Sequence, residues 1–196
     1  MLYEDYPEYR LLIGSDGREK RLTTSIFQQL PIFTVAPISN QCIRVLGLID
    51  NNRVYRYFPK KYLDEHPNLN KFKVLLPASN GSGALGEVLS TPLVGEPLVG
   101  YTQSFIGFGA FSERPEADAA LKYIRSKFAR VMLGILKVTQ HNHKDVWQYV
   151  PIQDFTASSD VDWSKSVQEI DRQLYAKYGL SESEQEFIET NIKSME

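Results

Sequence analysis

The chain lacks the features that mark several common protein classes. It has one cysteine, Cys42, among 196 residues, so it holds neither an internal disulfide nor a cysteine-built zinc cluster. Such usage fits a reducing compartment, and the cytoplasm is the expected location. Cys42 opens the apolar run CIRVLGLI and reads as a core residue. No stretch approaches the roughly 20 apolar residues that span a bilayer, so no membrane association is expected. The amino-terminal MLYEDYPEYR is acidic and aromatic, unlike a signal or transit peptide. The Gly-Lys-Ser/Thr phosphate loop is missing, as is the Gly-x-Ser-x-Gly elbow of a nucleophilic serine.

What the chain does have is an ordinary globular composition, 42% hydrophobic and 23% charged, at a length that suits one generous domain or a domain with an appendage. Its net charge of −2 hides a marked segregation. Residues 119–144 carry six Lys/Arg (Lys122, Arg125, Lys127, Arg130, Lys137, Lys144) and no acid. Residues 145–196 carry eleven acids against four bases. A basic centre beside an acidic tail can bind a polyanion on one face despite an acidic total.

Residues 1–30 read as a connector. YRLLIG has the look of a short strand, and Thr24 or Ser25 is placed to cap a short helix stopped at Pro31. CIRVLGLI and RVYRYF, joined by Asp50-Asn51-Asn52, form the clearest hairpin. KKYLDEH follows Pro59 as a short helix, KFKVLLP as a strand, and ASNGSGALGE as a glycine-rich loop. STPLVGEPLVG is loop or sheet edge, and TQSFIGFGAF returns to the sheet. From Pro115 to Lys137 apolar positions step by three and four (Leu121, Ile124, Phe128, Val131, Ile135), which predicts one principal helix. Gly134 is placed to end or bend it, and Lys122, Arg125 and Lys127 are expected to face outward. DVWQYVPI reads as a last strand. Residues 157–162 form a polar linker, Ser166–Tyr178 a helix stopped by Gly179, and Ser181 with Glu184 a capping box for a final helix. Strands precede a single long helix without alternation. The expected class is therefore α+β, a mixed and mainly antiparallel sheet with one long packed helix and a small carboxy-terminal helical pair.

No catalytic constellation emerges. An adenine methyltransferase needs a polar residue followed by Pro-Pro and an aromatic to stack the flipped base, and there is no Pro-Pro. GFGAF follows a strand, but SERPEAD separates it from the helix, so it does not cradle a cofactor. Neither Glu-x-Lys nor Asp-x-Lys occurs, which removes the common magnesium nuclease centre. His141 and His143 lack a third ligand. Candidate contacts to duplex DNA, by contrast, recur. Arg53, Arg56, Lys60 and Lys61 lie with Tyr55 and Tyr57 on the hairpin and the turn after it. Arginine can bond guanine bidentately while lysine neutralises phosphate. Asn80 and Ser82 sit in the glycine loop, and Thr139, Gln140, Asn142, His143 and Lys144 follow the basic helix. The bland use of each of these residues is a solvated surface.

The closing segment VTQHNHKDVWQYVPIQDFT, running into DWSKSVQEIDRQLYAKYGLSESEQEFIETNI, resembles the end of bacterial restriction–modification proteins that join an adenine-specific DNA methyltransferase to a target-recognition domain. The likeness extends over KFKVLLPASNGSGALGEVLSTPLVGEP, TQSFIGFGAF and ALKYIRSKFARVMLGILKVTQ, with LLIGSDGREKRLTTSIF similar to the connector before that domain. One departure is Ala78, where the resemblance implies a lysine and with it a phosphate contact by the glycine loop. The resemblance implies a connector at 1–30, a target-recognition domain at 31–156, and a linker with a helical pair at 157–196. It implies no catalytic residue, metal or cofactor in this chain. The methyltransferase domain would lie upstream, using S-adenosylmethionine, with magnesium if the parent also cleaves. Expected partners are double-stranded DNA and that upstream domain.

Two competing readings stay open. In one, Ile170, Leu174, Tyr178, Phe187 and Ile192 form an apolar face by which the carboxy-terminal helices dock a partner subunit. In the other, the chain is an α+β enzyme with a small-molecule pocket, a reading weakened by the absence of an acid/base or nucleophile constellation.

Overall fold

The computed structural model describes residues 1–13, 21–79, 84–136, 141 and 144–195. Among them the chain forms an α+β structure with two small sheets, one mixed and one antiparallel, and carboxy-terminal helices. It divides into two compact units, each assembled from separated stretches. The first comprises Met1–Lys71 with Glu96–Ile106, the second Phe72–Gly95 with Gly107–Glu196.

The first unit is built on a hairpin of β1 (Cys42–Ile49) and β2 (Asn52–Pro59), with β5 (Val99–Tyr101) parallel to β1. Asp50 and Asn51 both take positive φ, 50° and 61°, the backbone that a two-residue hairpin turn requires. Strand alternation places Ile43, Val45 and Phe58 in a core shared with Tyr9, Ile13, Phe27 and Leu30. The expectation of a strand at YRLLIG is corrected: these residues form α2 (Tyr9–Ile13), after a first turn α1 (Leu2–Asp5). Tyr9 and Ile13 are buried while Leu11 and Leu12 are exposed, so burial follows the four-residue helical spacing and not the two-residue step. A short α3 (Ile26–Gln29) follows, with Ser25 at its N-cap and Leu30 extended before Pro31. KKYLDEH gives only one tight turn, Lys60–Tyr62, before Leu63 returns to extended backbone.

In the second unit β3 (Phe72–Pro77) lies between the edge strand β4 (Leu93–Gly95) and β6 (Phe105–Phe111), of which Gly107–Phe111 belong to this unit. The single principal helix is corrected to two. α4 (Arg114–Arg125) packs on β3 and β4, and α5 (Lys127–Leu136) starts afresh after Ser126, whose ψ of 148° leaves the helical region. A double cap explains the break. Ser126 Oγ accepts from Ala129 N at 3.1 Å, and the Asp171 carboxylate accepts from Lys127 N at 3.1 Å and Phe128 N at 2.9 Å. Gly134 does not end α5, which runs on to Leu136. A Cβ there would lie 3.0 Å from Gly86 N, so the missing side chain lets the loop at 85–86 pass close against the helix.

No strand forms over DVWQYVPI. Residues Lys144–Trp147 make a tight helical turn, and Pro151 has no N–H to offer a ladder. Trp147 instead packs on Phe108 at 6.0 Å, beside Phe155, which packs in turn, at a tilt, against Trp163 at 5.2 Å. α6 (Val167–Lys177) and α7 (Glu182–Asn191) both open on capping boxes, Ser166 with Glu169 and Ser181 with Glu184. α6 ends before Gly179, whose φ of 63° closes it.

Candidate nucleic-acid interface

Between Cys42 and Tyr62 the chain carries five bases and one acid, Asp50, and the hairpin sets where they point. Cross-strand pairing of Arg44 with Tyr57, Leu46 with Tyr55 and Leu48 with Arg53 puts these residues on one face. The Arg44 guanidinium lies over the Tyr55 ring at 5.3 Å, a diagonal contact, and Arg53 lies over the Phe105 ring at 5.5 Å. Arg44 and Tyr55 are exposed, whereas Arg53 is half-buried, and that burial draws its guanidinium below its ordinary value. The result is a basic–aromatic face with two guanidinium planes held by rings.

The residues expected to cluster do not all share this face. Arg56 stands opposite Val45, on the side of Val54 and Phe58, and its Nη1 donates to the Tyr55 carbonyl at 3.0 Å. Positions 53 and 56 differ by an odd number, so a strand sends them opposite ways. Lys60 is exposed in the turn after β2. Lys61 is engaged: its Nζ donates to Asp5 Oδ2 at 3.0 Å and lies 4.5 Å from the Tyr62 ring. The Tyr62 hydroxyl and the Asp5 carboxylate together hold this ammonium above its ordinary value. Arg44 was not among the sequence-selected residues, and the two-residue strand step is the signal that finds it.

Asn80, Ser82, Thr139, Gln140, Asn142 and His143 lie outside the described residues, as does the side chain of Lys144, which opens the turn before Trp147. Their described neighbours meet: Ser79 and His141 form an isolated antiparallel bridge, with Ser79 Oγ 2.9 Å from His141 Nδ1. Among the described residues no group of three or more His, Cys, Asp or Glu is placed to hold a metal ion, and no helix is long and apolar enough to cross a membrane.

The outward orientation expected for Lys122, Arg125 and Lys127 is corrected. Lys122 Nζ donates to the carbonyls of Trp163 and Lys165, each at 2.8 Å, and of Ser164 at 3.2 Å. Lys127 is buried and pairs with Glu189 at 2.6 Å. Arg130, only 1% exposed, donates to carbonyls of Gly86, Arg125, Ser126 and Lys193. The basic segment thus holds the acidic tail against its own unit. Of the apolar face expected on the carboxy-terminal helices, Ile170, Leu174 and Ile192 are buried, while Tyr178 and Phe187 are exposed. Phe187 borders a groove of about 340 Å³ with Phe128, Val131, Met132 and Ile188.

Comparison of the chain with protein-family models, with curated proteins and with solved structures found no match.

Proposed function

We propose that the chain is a sequence-specific double-stranded DNA recognition module of a restriction–modification protein. Its role there would be to dock on the duplex and read base edges while an upstream domain transfers a methyl group from S-adenosylmethionine to adenine N6. The reading rests on the sequence resemblance and on one observation, the face that carries Arg44 and Arg53 stacked on Tyr55 and Phe105. A ring-held guanidinium loses little freedom on binding, and its planar fork suits the guanine O6/N7 edge or a phosphate. Lys60, exposed in the turn after β2, adds a charge for the backbone.

Selection from a random duplex pool tests the reading. An enriched motif whose binding weakens on Arg44→Ala or Arg53→Ala supports it. A pool that stays random, with no duplex affinity at low salt, contradicts it.

A second reading, docking of a partner subunit on the carboxy-terminal helices, is favoured by the apolar groove beside Phe187, which is 50% exposed. A partner-dependent mass change abolished by Phe187→Ser, with duplex binding intact, would favour it.

A further inference from the structure

Within the second unit, α5 and α7 leave between them the open groove of about 340 Å³ that Phe187 borders. Helical spacing builds its walls. Phe128, Val131, Met132 and Ile135 fall at i, i+3, i+4 and i+7 and so share one face of α5. α7 presents Phe187 and Ile188, one turn on from Ser183 and Glu184. Phe128 and Ile188 are buried, whereas Phe187 and Ile135 stand 50% and 54% exposed. The apolar stripe of α5 therefore runs on past the groove. From Phe128 to Ile135 it spans about 10 Å, two turns of helix.

The charge beside this stripe has one sign. α7 carries four glutamates, Glu182, Glu184, Glu186 and Glu189, and no base. Glu189 is paired with Lys127, and the other three form no ion pair among the described residues. Glu184 lines the groove, and its hydrogen bonds from Ser181 hold it below its ordinary value, so it keeps its charge. Glu182 and Glu186 are exposed on the same helix and lie within about 8 Å of Phe187 along the axis, a distance that salt screens only in part. An acidic wall repels a DNA duplex. It also disfavours a second copy of this chain, because a two-fold contact pairs a patch with itself and would set one acidic α7 against the other.

We propose that this groove docks an amphipathic basic helix of a partner protein, with large apolar anchors at i, i+3 or i+4 and i+7 and lysine or arginine beside them. Two turns of such a helix cover the stripe from Phe128 to Ile135, and its cations meet the carboxylates of α7. A small apolar molecule held in the groove alone leaves Ile135 uncovered. The inference rests on the reading of the carboxy-terminal helices as a docking surface and adds to it the chemistry of the partner.

The test is a nitrogen–proton NMR titration of the whole chain, read at the Val131, Met132, Phe187 and Ile188 amides. The probes are three synthetic peptides of roughly five helical turns. One carries leucine at the anchor spacing among lysines, the second the same leucines among glutamates, and the third a scrambled order of the first. Saturable shifts are expected with the lysine peptide, which should bind roughly tenfold tighter than the glutamate peptide at low salt, the value of two or three exposed ion pairs. That preference should shrink as salt rises. Phe187→Ser should weaken the lysine peptide by roughly tenfold. Glu182→Gln, Glu184→Gln and Glu186→Gln together should erase the charge preference, and glutamine at 184 preserves the capping box with Ser181. Equal affinity for the lysine and glutamate peptides, lost for both in Phe187→Ser, overturns the basic partner while docking on these helices stands. Equal binding of the scrambled peptide overturns the helix. Saturation by no peptide, or binding indifferent to Phe187→Ser, overturns the inference, and the docking reading falls with it only if the partner-dependent mass change is missing too.

Discussion

Replacing Asp171 by asparagine should change how the second unit responds to pH. Asp171 is 2% exposed, and its carboxylate accepts the first two amides of α5. Burial is the largest influence and pushes the carboxyl up from 3.8 to about 6, against the two amide hydrogen bonds and Arg130, which favour the charged form. Glu189 adds to the upward push, and the Tyr175 hydroxyl, packed nearby, is itself raised by burial and by Asp171. Because the folded state holds this proton more tightly than the unfolded one, the group's contribution is fully present below pH 3.8 and is lost as pH rises through about 6. A shift from 3.8 to about 6 corresponds to roughly 3 kcal/mol of stability lost across that window. Asparagine cannot ionise, and its single oxygen accepts only one of the two amides, a loss that offsets its stability by an amount independent of pH. Both tryptophans, Trp147 and Trp163, lie in the second unit, so urea unfolding followed by their fluorescence reports on that unit. The stability of Asp171→Asn relative to the native chain should rise by roughly 2–3 kcal/mol between about pH 4 and pH 7, with distant carboxylates cancelling in the difference. Asp171→Ala, which leaves two buried amides without an acceptor, should be less stable than Asp171→Asn at every pH. A difference between Asp171→Asn and the native chain that does not vary with pH, or that varies in the opposite direction, would refute the argument.

Gly134→Ala should lower the urea midpoint of the second unit even though alanine is the better helix former. The gain of about 1 kcal/mol in propensity is offset by about 1–3 kcal/mol of overpacking against the backbone at Gly86. Arg130→Met keeps the buried volume but strips the Gly86 and Lys193 carbonyls of their donor, and should cost roughly 2–4 kcal/mol in the same assay. An unchanged midpoint would mean that this arginine does not hold loop and tail.

The features legible in the sequence are those whose causes are local. The hairpin follows from alternation around Asp50-Asn51, and the Ser181–Glu184 box sits within one helical turn. The α+β class was legible from the order of strand-like and helix-like stretches. The break at Ser126 was not, because the second half of its cap comes from Asp171, 45 positions downstream. The basic segment misled for the same reason. Its composition shows charge, but whether Lys122 meets solvent or the carbonyls at 163–165 depends on how the tail folds back. Separation of Arg53 from Arg56 was available from strand parity alone, and that parity also singles out Arg44 as the partner of Tyr55.

The most direct test of the proposed function is the salt dependence of duplex affinity, measured by fluorescence anisotropy for the native chain and for Arg44→Ala. If Arg44, Arg53 and Lys60 meet phosphate, affinity should fall by roughly fortyfold between 50 and 200 mM salt. Loss of Arg44 should weaken binding while the second unit's urea midpoint stays unchanged. Binding that is absent at low salt, or that is indifferent both to salt and to Arg44, would contradict the account.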